Sequence, residues 1–322
     1  MYNNIQKYYP GFLFFAKVII VILAYQIISE KILHEHSYQL FFSHLATLNE
    51  WIVPFVLVLL GFSLMNWMIE VRKWKILVSC LRTISFSESL RQSLASLTVS
   101  LLTPNRIGEY GAKALFFEKQ ERARIVLYNF LGNFSQMSAT LFFGLIGFWA
   151  LSSRQYPVMQ WSVSWSKMAV WMVTVLIGLL ILKRLWKNFY QKMVNNLRSL
   201  PLPVQLRVFS LSFLKYLVFS HQFYFLLLFF GADMNYLLCM SLISTTYLIS
   251  SLIPGFVVFD WLVKGSVAVV VFGQSGTSEV LILSITSVMW ILNFAIPSAL
   301  GMFFVFSYRS PQKLQSKIVL EK

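Results

Sequence analysis

The sequence predicts an all-α, polytopic membrane protein of about six to eight transmembrane helices, and three observations carry that expectation. Of its 322 residues, 57% are hydrophobic and only 12% are charged, about half the charged share of an ordinary soluble domain. So few charges cannot keep the surface of a soluble fold this size wet. A mean hydropathy of +0.67 agrees, and apolar stretches near the roughly 20 residues that a bilayer demands recur along the chain. Finally, the cations behind the net charge of +15 crowd into a few segments. A nucleic-acid binder would also be basic, but its Lys and Arg would sit in a wet domain. None is present, so nucleic acid is not an expected partner, and a soluble enzyme or a basic disordered tail is excluded on the same ground.

Spans are expected at 11–28, 51–69, 125–150, 168–182, 208–230, 236–253, 255–272 and 281–306. The first apolar run leads into Gln26, Ser29, Glu30 and Lys31 with no small-x-small cleavage site, so it is expected to stay as a span. The run 93–103 is apolar but too short to cross. The runs 236–253 and 255–272 are separated only by Pro254. The chain reads as a single integral membrane domain over 1–322. A first half covers 11–150, with a re-entrant hairpin near 93–104. A second half covers 168–308, with a broken helix pair around Pro254, and a basic tail follows at 309–322.

Charge then fixes the topology. With the N-terminus in the cytoplasm, 21 of the 27 cations fall inside, in segments 70–92, 105–124, 183–207 and 309–322 together with Lys7. Only Lys31, Arg154 and Lys167 fall outside, and Lys17, Lys215 and Lys264 lie within apolar runs. Both termini are therefore expected in the cytoplasm, in a cytoplasmic membrane. Both flanks of 93–103 are basic, so that run dips in from the cytoplasm and returns. The pair around Pro254 either dips in from outside or crosses twice, and charge does not separate those two.

A short echo links the halves. Ser100-Leu101-Leu102-Thr103-Pro104 and Ser251-Leu252-Ile253-Pro254 are both apolar helix ends closed by proline. Each is followed by polar residues unusual at that depth: Arg106, Gly108, Glu109 and Lys113 after the first, Asp260 and Lys264 after the second. Two helix-breaking prolines, Pro104 and Pro254, in hairpins that open from opposite sides are the mark of an inverted repeat.

The run Pro104-x-Arg106-x-Gly108-Glu109, with a basic residue four further on, resembles the signature of the lysylphosphatidylglycerol synthase transmembrane region, a flippase-domain family. The later SLIPGFVVFDWLVKGSVAVVVFG is similar to that family's second landmark, and the resemblance spans about residues 10–308. This chain departs from it in having Lys113 where members commonly show Arg, and in lacking the Pro-Gly-Gly-x-Gly run before Asp260. The resemblance implies a stand-alone flippase-like domain that binds or moves an anionic or aminoacylated phospholipid or a lipid-linked sugar. Its two hairpins would meet near the midplane. A separate synthase or glycosyltransferase is the implied partner. No soluble synthase domain follows the last span, so no enzymatic activity is expected of this chain.

Each candidate residue carries two readings. Arg106 grips a lipid phosphate through its bidentate fork while Glu109 orients it and Gly108 admits the headgroup, or Arg106 and Glu109 only staple the hairpin. Asp260 and Lys264 are four apart on one helical face, and form either a self-neutralising pair or a gate opened by a headgroup. Asn129, Asn133, Gln136 and Thr140 share one face, which either bonds neighbouring helices or lines a headgroup path. Lys17 and Lys215 are expected to snorkel to the interface, and His221 to hydrogen-bond between helices. The tryptophans 51, 67, 74, 161, 165 and 171 are expected in interfacial belts. His34, His36 and His44 suit a wet outer helix better than a metal site. Cys80 and Cys239 build neither a disulfide framework nor a zinc site. No phosphate loop or hydrolase elbow is present, so no metal or other cofactor is expected, and any lipid movement runs downhill or on a gradient. An ion-coupled carrier of a small solute, and a lipid-binding accessory protein that transports nothing, remain as alternatives.

Overall fold

A computed structural model describes residues 52–153, 200–253 and 260–308, apart from Leu102, Pro104, Asp233 and Gln274. The expected spans at 11–28 and 168–182, both helix-breaking prolines, Lys17, the three N-terminal histidines, the tryptophans 51, 161, 165 and 171, and the tail at 309–322 lie outside the described residues.

Among the described residues every element is helical: α1 (Ile52–Val78), α2 (Phe86–Leu101), α3 (Ile107–Leu115), α4 (Arg122–Ser153), α5 (Leu202–Phe229), α6 (Tyr236–Leu252), α7 (Asp260–Phe272), α8 (Glu279–Trp290) and α9 (Ile296–Phe306). Four rods are long and apolar enough to cross a membrane: α1, α4, α5 and the continuous 28-residue α8–α9. They mark a membrane protein. At 1.5 Å per residue, α2 with 16 residues, α3 with 9, α6 with 17 and α7 with 13 are each shorter than a hydrocarbon core of about 30 Å.

Two of the differences from the sequence expectation have clear physical reasons. The first described span does not stop at residue 69 but continues to Val78, carrying Glu70, Arg72, Lys73 and Lys75, which charge counting had assigned to a loop. Lys73 is only 2% exposed and Trp74 only 1%, so Trp74 belongs to the core and not to an interfacial belt. The α8–α9 rod widens into a π turn at Ile291–Ala295. Pro297 has no N–H, and its ring crowds the carbonyl four residues back. The carbonyl of Asn293 instead accepts from Trp67 Nε1 at 3.1 Å, which places Trp67 on a bundle contact.

The helices assemble around two cores. One joins Trp74, Leu77 and Val78 at the end of α1 to Ile84 before α2, Phe116 and Phe117 after α3, Ile125 in α4, and Leu200 and Val208 around the start of α5. The described parts of the segments 70–92, 105–124 and 183–207 thus share one end of the bundle. The other core gathers Leu59, Phe223, Leu226, Cys239, Leu242, Phe272 and Ile282, with Phe55, Phe230 and Met234 against it. The α2–α3 pair leaves from and returns to the first core, while α6 begins and α7 ends in the second.

Helix packing uses small residues, because lipid tails supply no hydrophobic force between helices. Where α4 meets α6, a Cβ at Gly144 would lie 2.6 Å from Leu248 Cβ, and one at Gly147 would lie 2.8 Å from Ser244 Cβ. Where α9 meets α2, a Cβ at Gly301 would collide with the carbonyl of Leu94, and Thr98 Oγ1 donates to Ser298 O at 2.7 Å. Large apolar side chains such as Leu64 at 65% exposure, Trp149 at 69% and Phe303 at 70% face outward, as lipid-facing residues do.

Candidate functional site

The α2–α3 turn places its charges by an unusual backbone. Asn105 and Arg106 both take left-handed conformations, with φ of 50° and 59°. Asn tolerates that region readily, whereas for Arg it costs on the order of 1 kcal/mol. The turn is clamped by Thr103 Oγ1, which accepts from the Gly108 N–H at 2.8 Å. A Cβ on Gly108 would come within 2.7 Å of Thr103 Oγ1 and 2.9 Å of the Val99 carbonyl. The glycine therefore lets the two limbs of the hairpin touch. The space that sequence reasoning reserved for a headgroup is filled by Thr103.

From this turn, α3 carries Glu109 and Lys113 into the bundle, where they are 3% and 2% exposed. Glu109 Oε1 accepts from Lys113 Nζ at 2.8 Å, and its Oε2 pairs with Arg106 Nη2 at 3.2 Å. Lys113 Nζ also donates to Asn129 Oδ1 of α4 at 2.8 Å and sits 4.3 Å from the centre of the Trp74 ring. Trp74 Nε1 donates to Gln92 Oε1 at 2.8 Å, which ties α1 to α2. The Arg106 side chain remains 41% exposed. It is the mouth of the cluster.

A second carboxylate, which the sequence reading did not single out, completes the group. Glu70 of α1 is paired with Lys73 at 2.9 Å and with Lys215 of α5 at 2.5 Å. Lys215 therefore does not snorkel to an interface; it crosses to another helix. Glu70 lies within electrostatic reach of Lys113 and Glu109, and Lys215 within reach of Arg106. Four cations and two carboxylates from α1, α3 and α5 thus form one neighbourhood. Each carboxylate is shared by two cations. The signal that could have found Glu70 is its i,i+3 spacing to Lys73 directly after an apolar run.

The polar face of α4 turns toward this hairpin. Asn133 Nδ2 donates to the Tyr110 hydroxyl at 3.2 Å, and Thr140 Oγ1 donates to the Gln136 carbonyl at 3.2 Å. Asn129 Nδ2 and Gln136 Oε1 are buried without a hydrogen-bond partner. His221 bridges the Leu217 carbonyl and the Tyr236 hydroxyl, as an interhelical hydrogen bonder would.

The second hairpin is built differently. Asp260 Oδ2 and Lys264 Nζ pair at 2.6 Å with 31% and 28% side-chain exposure. Lys264 lies 5.1 Å from the Phe294 ring centre and lines an aromatic pocket with Phe219, Phe223, Tyr247, Trp261 and Trp290. The tips of both hairpins, at Pro104 and 254–259, lie outside the described residues. The close partners of α2 are α1, α3 and α9, and those of α6 are α4, α5 and α7.

A buried amide network joins α1, α5 and the π turn. Gln222 Nε2 of α5 donates to Ser63 Oγ at 2.9 Å and to the Leu59 carbonyl at 3.1 Å. Asn293 Nδ2 donates to Gln222 Oε1 at 2.9 Å, and Asn66 Nδ2 to Asn293 Oδ1 at 3.0 Å. Sequence reasoning missed all three amides, because single polar residues in apolar runs carry no spacing signal. Among the described residues, no group of three or more His, Cys, Asp or Glu side chains is placed to hold a metal ion. No protein-family model matches this chain, and neither a curated protein nor a solved structure matches it significantly.

Proposed function

We propose that the chain is a flippase- or scramblase-like carrier of a lipid with an anionic headgroup, resembling the lysylphosphatidylglycerol synthase transmembrane region. The observation that carries this reading is the cation-rich cluster at the first hairpin, with buried Lys73, Lys113 and Glu109 behind a partly exposed Arg106. Charges so deep are retained where they serve a ligand path. The apolar outer faces of the long helices leave lipid tails in the bilayer while a headgroup enters between α1, α3 and α5.

An inverted repeat fits the packing. Rods α1 and α4 flank the first short pair, as α5 and α8–α9 flank the second. The first limb of each pair packs on the last rod of the other half, α2 on α9 and α6 on α4, in both cases through glycine and hydroxyl side chains. Each second limb begins with an acid and a lysine four residues on, Glu109–Lys113 and Asp260–Lys264. In this reading the two hairpins enter from opposite leaflets of a cytoplasmic membrane, the basic end facing the cytoplasm. The buried amides of α1, α5 and the π turn separate the two half-sites.

The test is lipid exchange in reconstituted vesicles carrying a headgroup-labelled anionic lipid. The wild type is expected to dissipate the labelled asymmetry faster than protein-free vesicles. Arg106→Asn, which keeps a residue tolerant of the left-handed turn, is expected to slow it about tenfold, the size of one lost charge-assisted contact. Equal rates in wild type, variant and empty vesicles would sink the carrier reading and leave the binding-only accessory protein. Accumulation of a soluble solute alone would favour an ion-coupled carrier.

A further inference from the structure

We propose that the first-hairpin cluster binds the dianionic phosphate of a lipid phosphomonoester or diphosphate in preference to the singly charged phosphodiester of ordinary phospholipids. The inference rests on the anionic-headgroup reading above and adds the substrate class. It comes from charge accounting. The cations are Lys73 on α1, Arg106 and Lys113 at α3, and Lys215 on α5; the anions are Glu70 on α1 and Glu109 on α3. Of the polar groups beside them, Asn129 on α4, which accepts from Lys113, and Gln92 on α2, which accepts from Trp74, are neutral, and Glu88 is engaged by Arg82 at 3.2 Å. Among the described residues, the cluster therefore holds two positive charges that no carboxylate balances.

An uncompensated charge at this depth is costly, and Lys73 and Lys113 are each only 2% exposed. Donor capacity is in surplus as well. Two buried donors, Arg106 Nε and Asn129 Nδ2, have no hydrogen-bond partner, against one such acceptor in the cluster, Glu109 Oε2, which is ion-paired with Arg106, and Asn129 is itself 2% exposed. A ligand with about two negative charges and several acceptor oxygens would balance both the charge and the donors. A terminal phosphate carries about −1.5 to −2 near neutral pH and three strong acceptors. A phosphodiester offers one charge and two free oxygens, and leaves half of the surplus standing. Arg106 at the mouth supplies the planar fork that such a phosphate suits.

The experiment titrates purified full-length protein in dodecyl maltoside micelles by calorimetry with dioctanoyl phosphatidic acid, dioctanoyl phosphatidylglycerol and inorganic phosphate. Phosphatidic acid is expected to bind about tenfold more tightly than phosphatidylglycerol, the worth of one further charge-assisted hydrogen bond. Arg106→Asn, at an exposed turn that will still fold, is expected to erase that preference, and Lys215→Met to reduce it. Equal affinity for the two lipids overturns the dianion proposal while the anionic-lipid reading survives. So does a preference that persists unchanged in both variants. No binding of either lipid overturns both. Inorganic phosphate binding as tightly as phosphatidic acid keeps the dianion site but overturns the lipid reading.

Discussion

The two short hairpins carry the same acid-and-lysine spacing in opposite settings. In the first, Lys113 is sealed between Glu109, Asn129 and the Trp74 ring, and a second ion-paired group from α1 and α5 stands beside it. In the second, Asp260 and Lys264 hold each other at the edge of an aromatic pocket, each nearly a third exposed. Spacing alone therefore did not determine chemistry. The first pair is one part of a cluster with surplus cation, and the second is locally neutral.

The largest expected effect comes from breaking one pair in each setting. Lys113→Met leaves Glu109 buried with only a partly exposed Arg106 beside it, and is expected to destabilise the fold by about 3 kcal/mol. Lys264→Met removes a partly solvated partner and is expected to cost less than about 1 kcal/mol. Unfolding of both variants in the same detergent reads the difference. Similar losses would remove the distinction between a buried cluster and an open pair.

A smaller effect is expected at the helix contacts. Gly301→Ala pushes a methyl into the Leu94 carbonyl of the first hairpin and is expected to cost about 1–3 kcal/mol. Gly61→Ala on α1, with nothing within 4 Å of the added carbon, is expected to be neutral or stabilising by up to about 1 kcal/mol. Thermal unfolding separates the two. A harmless Gly301→Ala would mean that α2 and α9 do not touch as closely as described.

Apolar length was enough to find α4, α5 and the α8–α9 rod within a few residues, because a buried or lipid-facing helix needs little beyond unbroken hydrophobicity. It failed at α1, where charges at Glu70 and Lys73 look like a loop but neutralise each other inside a continuing helix. It also misjudged Lys215, whose partner is 145 positions away in sequence. Snorkelling was the natural reading of a lysine without a visible acid. Arg106, Glu109 and Lys113 were found together because a local turn brings them together. Glu70 was announced only by its i,i+3 spacing to Lys73, whereas Asn66, Gln222 and Asn293 depend on tertiary packing between distant helices, and no local pattern announces them. Gly108 was expected to admit a headgroup; the groups packed against it are Thr103 and the Val99 carbonyl.

The most direct test of the central claim, that headgroups dock at the first hairpin, is photocrosslinking with an anionic lipid that carries its reactive group on the headgroup. After irradiation in vesicles and peptide mapping, labels are expected on residues 103–113 and on α1 near Glu70, and they should be lost in Arg106→Asn. Labels confined to the outward apolar faces of α1 and α9, or unchanged by Arg106→Asn, would contradict the account.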